Sequence, residues 1–141
     1  LIQSGIAEMT VDDSNATGGF VAILRDGLSP LEVTIICSAG SFLLAWFTAS
    51  ASNNAGVVAL DAYRLMLDGA PIAASGRGVT NAALVGAPIG VAACARVGPV
   101  AAGAHTIQVQ WKNAALSTCR IRPVSLPELE NAQLVVAEVA A

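Results

Sequence analysis

The chain is short of charge, of aromatic side chains and of histidine. Of its 141 residues 12% are charged and 4% aromatic, and one is histidine. Soluble domains carry about 25% charged residues, so the polar surface here is thin. Its seven basic residues, Arg25, Arg64, Arg77, Arg96, Lys112, Arg120 and Arg122, are scattered, and the net charge is −3. Nucleic-acid binding draws on clustered cations that displace counterions from phosphate. Only Arg120 and Arg122 lie close together, so no nucleic-acid partner is expected.

The chemistry of catalysis is equally scarce. No Gly-x-Ser-x-Gly elbow occurs, and Gly76-Arg77-Gly78 lacks the lysine and following helix of a phosphate loop. Glu128 and Glu130 sit beside Pro127 without a second motif, which reads as a solvated turn. Asp13, Asn15, Thr17 and Gly18 imitate the opening of a calcium loop, but the twelfth position, where a bidentate acid belongs, is Leu24. His105 has no second histidine to share a metal and reads as a hydrogen-bonded core or rim group. The chain is therefore expected to be no enzyme and to hold no metal or cofactor. Cys37, Cys94 and Cys119 lack the short spacings of zinc or redox sites. Buried free thiols suit the apolar runs around Cys37 and Cys94, while one disulfide among the three stays open. Asn15-Ala16-Thr17 matches a glycosylation acceptor.

Long hydrophobic runs are missing too. The best candidate for a membrane span, Ala82 to Ala104, is broken by Pro88, Arg96, Pro99 and several glycines, and Phe42 to Ala51 is too short. No membrane partner is expected. Residues 1 to 20 carry no basic segment of the kind that opens a signal peptide.

What the chain has in quantity is apolar residues, 55% of the total, with a mean hydropathy of +0.65. A domain of this length has limited interior to hide them, so a subunit interface is expected to bury the surplus. In Gly103 to Lys112 the residues His105, Ile107, Val109 and Trp111 alternate with Thr106, Gln108, Gln110 and Lys112, the period-2 pattern of a strand with one buried face. The same reading predicts strands over Leu31 to Cys37, Ser41 to Ser52, Val57 to Leu67, Val79 to Val85, Ile89 to Val97 and Leu134 to Val139. Shorter ones are predicted over residues 1 to 11, Phe20 to Leu24, Pro71 to Ala74 and Ser117 to Ile121. Asp68-Gly69 marks a hairpin turn. In Ser41 to Ser52 both faces are apolar, with Leu44 and Trp46 on one and Phe47 on the other. Such a strand lies between packed layers or against a neighbouring subunit. The expectation is one all-β sandwich of eight to ten antiparallel strands spanning 1–141.

The succession Phe42 to Ser52, Tyr63-Arg64-Leu65-Met66-Leu67-Asp68-Gly69, Gly103 to Trp111 and Leu134 to Val139 resembles small jelly-roll domains of phage and bacterial origin. These are similar in architecture to tumour necrosis factor and complement globular heads. The resemblance covers roughly residues 20 to 139 and rests on core and turn positions. It implies a homotrimer, with Leu44, Trp46, Phe47 and Tyr63 as expected subunit-interface residues. It also implies a virion structural role as a capsid decoration protein bracing neighbouring capsid subunits, on the virion surface. The alternative is a receptor- or carbohydrate-binding head of a tail fibre or secreted protein, with a glycan as partner. No shaft segment is present and aromatics are few, which favours decoration.

Overall fold

The computed structural model describes residues 1–11, 13–53, 59–73, 75–81, 89–113, 118–121 and 132–141, with backbone alone for 53, 59–60, 77–81 and 119. The described residues form twelve strands: β1 (Gln3–Glu8), β2 (Asp13–Asn15), β3 (Val21–Ala22), β4 (Glu32–Cys37), β5 (Phe42–Asn53), β6 (Ala59–Leu67), β7 (Ala70–Pro71), β8 (Arg77–Asn81), β9 (Ile89–Val97), β10 (Gly103–Asn113), β11 (Cys119–Ile121) and β12 (Gln133–Val139). Eight of them carry the architecture, and the very short β2, β3, β7 and β11 extend it. The pairings β1–β12, β4–β10, β5–β9 and β6–β8 are those of one long hairpin folded about its tip between β6 and β8. Rolling that hairpin adds β12–β5 and β10–β6. The result is two antiparallel sheets, β1-β12-β5-β9 and β4-β10-β6-β8, in a jelly-roll sandwich.

Alternation along the strands fills the space between the sheets. Leu43, Ala45, Phe47, Ala49 and Ala51 of β5 face Tyr63 and Leu65 of β6 and Ile107, Val109 and Trp111 of β10 within a single hydrophobic cluster. Phe47 stacks on Tyr63 with ring centroids 6.1 Å apart, and Tyr63 meets Trp111 at 6.3 Å. Closing the roll brings β1 of the first sheet against β4 of the second. A Cβ on Gly5 would stand 2.6 Å from Val33 Cγ1, so this approach depends on glycine.

Several expectations shift at the margins. The opening strand is confined to Gln3–Glu8, and Phe20 to Leu24 contributes only the two residues of β3. The candidate span Ala82 to Ala104 contains β9, an extended strand; no described helix is long and apolar enough to cross a membrane. Residues 82–88, the Glu128–Glu130 pair and residues 122–131 as a whole lie outside the described residues.

Candidate functional site

A sandwich of two sheets has two outer faces, and here they differ in chemistry. On the first sheet, cross-strand register sets Ile6 of β1 beside Val135 of β12, Val135 beside Trp46 of β5, and Trp46 beside Cys94 of β9. One apolar row thus crosses all four strands. The next row is Ser4, Ala137, Leu44 and Arg96, and beyond Leu44 on the same face stands Phe42, with the Arg96 guanidinium carbon 3.9 Å from its ring centroid. Trp46 is 43% exposed and Ile6 62%. Four strands about 4.8 Å apart, over seven residues of about 3.3 Å, make an area on the order of 400 Å². The row on the other side of Trp46 is Glu8, Gln133, Thr48 and Ala92, so the apolar row occupies the middle of that area with polar side chains to either side.

This geometry divides the four residues expected at a subunit interface. Leu44 and Trp46 lie on the outer face, where a partner could reach them. Phe47 and Tyr63 do not: both are 0% exposed and stack on each other between the sheets. Trp46 and Phe47 are successive residues of one strand and point to opposite sides, so the two could never have shared an outer face.

The outer face of the second sheet is mostly polar, with Ile36 of β4, 72% exposed, as an apolar exception. Arg64 of β6 donates from Nε (3.0 Å) and Nη2 (2.7 Å) to Gln110 Oε1. Gln110 Nε2 donates to Gln108 Oε1 at 3.2 Å, and Gln108 Nε2 to Glu32 Oε2 at 3.0 Å. Each amide accepts from the cation side and donates toward the carboxylate, so the ribbon fixes both amide orientations. Phe20, two residues before Ala22 in β3, lies on the same face. The Arg64 guanidinium carbon is 3.9 Å and Lys112 Nζ 4.9 Å from its ring centroid.

Remaining polar groups serve the fold. Asp13 accepts the Leu24 and Ser14 N–H groups at 2.8 Å each, and Asn15 accepts from the N–H and hydroxyl of Thr17 while donating to the Trp111 carbonyl. Desolvation holds the Asp13 pKa above its usual value, against the lowering effect of those two N–H groups. The residues that imitate a calcium loop are thus bound to their own backbone, and Asn15, 4% exposed, is buried as a glycosylation acceptor. No group of three or more metal-ligating side chains occurs among the described residues. Cys37 is a buried free thiol, raised in pKa by desolvation and by the nearby charges of Glu138 and Asp68. Cys94, also free, is exposed on the apolar row, contrary to the buried position expected of it.

Glu138 went unnoticed in the sequence. Its carboxylate, 0% exposed, accepts the Ser38 N–H and the Gln3 side-chain amide at 2.7 Å each, and Gln3 also donates to the Ile36 carbonyl. The Ser38 and Gln3 hydrogen bonds hold its pKa below the usual carboxylate value. It braces the corner where β12, β1 and the turn after β4 meet. The parity of Leu134, Val136 and Glu138 was the available signal, since it turns the glutamate inward.

No protein-family model and no curated protein matches the chain. Among solved structures, the chain is similar to dimeric latent PorU from Porphyromonas gingivalis, with a TM-score of 0.52 and 9% identity over 96% of this chain. It spans 12% of that protein. The EclA C-terminal domain, a sugar-binding protein, aligns at 14% identity and TM-score 0.42 over 94% of this chain and 78% of its own. The T13 IBDV viral particle aligns at 11% identity and TM-score 0.42 over 99% of this chain and 36% of its own. At 9% identity the likeness to PorU is one of fold, and the two weaker alignments add no argument. No tumour necrosis factor or complement head is shown among the neighbours.

Proposed function

We propose that the protein is an assembly subunit, a jelly-roll domain that packs against copies of itself as a homotrimer and serves on a virion surface as a capsid decoration protein. The observation that carries this reading is the apolar row Ile6–Val135–Trp46–Cys94, which crosses all four strands of the first sheet and whose Ile6, Trp46 and Cys94 stand exposed among the described residues. A second copy suits the face better than a soluble ligand does. The apolar row lies across the middle of an open sheet face with polar side chains to either side, the arrangement of a dry interface centre inside a polar rim. Arg96 on β9 and Glu8 on β1 stand on the two opposite edge strands of the sheet and supply rim charges of both signs. The low charge of the chain as a whole agrees with a surface partly given over to contacts. The virion setting rests on the resemblance of the strand pattern to phage jelly-roll domains.

The test is the location of the chain. In gradient-purified particles from a producing culture, quantitative mass spectrometry should find it in a fixed ratio to the major capsid protein. Recovery from the culture fluid alone, with none in particles, would reject decoration in favour of a secreted head.

A further inference from the structure

The second sheet carries a separate feature that assembly through the first leaves unexplained. Two of the seven cations, Arg64 and Lys112, lie 48 positions apart in sequence yet converge on one ring, Phe20, at 3.9 and 4.9 Å. Neither makes an ion pair among the described residues. The carboxylate on this face, Glu32, belongs to a different strand row. Two strand steps and one two-residue step separate their backbone positions by about 12 Å, and two amides stand between their side chains. In a chain of net charge −3, this is a local excess of positive charge.

The cations are also held in place. Gln110 occupies Nε and Nη2 of Arg64 through a single acceptor, which sets the plane of the guanidinium and leaves Nη1 to donate elsewhere. Lys112 makes no hydrogen bond among the described residues, so none of them takes up its three donors. Alongside run the amides of Gln110 and Gln108, the Glu32 carboxylate, and the hydroxyls of Thr34 and Thr106, which are 2.8 Å apart. Cationic donors at one end, and mixed donors and acceptors on a flat sheet beyond them, complement a molecule with one carboxylate and many hydroxyls.

We infer that the outer face of the second sheet binds an acidic saccharide, whose carboxylate sits between Arg64 and Lys112 and whose hydroxyls lie along Gln110, Gln108 and Glu32. The site faces away from the first sheet, so an assembled protein would still display it. The inference is independent of the assembly reading, and its failure would leave that reading untouched.

Titration calorimetry of the whole chain would use sialyllactose and trigalacturonate as acidic probes, lactose as a neutral one and acetate as a bare anion. Both acidic sugars, or one of them, should bind, lactose and acetate should not, and added salt should weaken binding. Lys112→Gln and Arg64→Gln should each weaken it by about tenfold or more. An unchanged melting temperature for Lys112→Gln would exclude loss of the fold as the cause. Binding of neither acidic sugar would overturn the inference. So would equal binding of lactose or acetate, or acidic-sugar binding that survives both substitutions.

Discussion

Asp68 takes φ 49° and Gly69 φ 82° in the turn between β6 and β7, the left-handed geometry that Asp-Gly favours at a hairpin tip. Its carboxylate accepts the Thr106 N–H at 2.8 Å and meets His105 Nδ1 at 2.7 Å, while His105 Nε2 lies 3.0 Å from the Ala101 carbonyl. Both ring nitrogens face acceptors, which suits the imidazolium. The Asp68 hydrogen bond, then the Ala101 carbonyl, raise the His105 pKa above its ordinary 6.5. For Asp68, partial burial raises the pKa, but the Thr106 N–H and His105 outweigh it and the net shift is downward from 3.8. The raised histidine contributes stability that is fully present below pH 6.5 and is lost as pH rises through its folded pKa. The lowered aspartate contributes above pH 3.8, and that part is lost as pH falls through its own folded pKa. Thermal melts across this range should show wild-type stability declining on the alkaline side of 6.5, and His105→Gln should flatten that decline. An unaltered slope in the variant would assign the dependence to other groups. The sequence placed His105 as a hydrogen-bonded core or rim group, but its partner, 37 positions away, could be read only from the register of β10 against the turn.

In β10 the two faces can be compared directly. Ile107, Val109 and Trp111 are at most 1% exposed, while Gln108, Gln110 and Lys112 form part of the outer ribbon. Trp111→Ala should remove a side chain wedged against Tyr63 and cost about 3–5 kcal/mol in unfolding free energy. Gln110→Ala breaks the link between Arg64 and Gln108 on a half-buried face and should cost about 1 kcal/mol. Chemical denaturation of both variants checks the order, and a costlier Gln110→Ala would invert the inner and outer faces of the strand. Strands such as β4, β5, β9 and β10 were legible because period-2 alternation is a local property, and in β9 the expected bounds, Ile89 to Val97, are those observed. Which apolar face of β5 meets the core was not legible, since both faces are apolar and the choice depends on what the opposite sheet presents. That is why Phe47 was grouped with Leu44 and Trp46. The ribbon on the second sheet was hidden for a related reason: Phe20, Arg64 and Lys112 meet only through pairings among β3, β10 and β6.

Taken as a whole, the molecule is a jelly roll whose two outer faces differ, one crossed by an apolar row over β1, β12, β5 and β9, the other carrying a polar ribbon with Arg64 and Lys112. The described residues form twelve strands, four of them very short. A jelly-roll sandwich of eight to ten strands was anticipated from strand spacing and the sequence resemblance, because turn residues punctuate the chain at suitable intervals. The partition of faces was not, since it is a property of register. The claim that the apolar face drives self-association is tested most directly at Trp46, which is 43% exposed, so a change there need not disturb the core. Sedimentation equilibrium should give the wild-type chain, 14.2 kDa by itself, the mass of a trimer at micromolar concentration, and Trp46→Glu the mass of a monomer with its circular dichroism spectrum unchanged. A wild-type chain that sediments as a monomer, or a Trp46→Glu variant that keeps the trimer mass, would contradict the account.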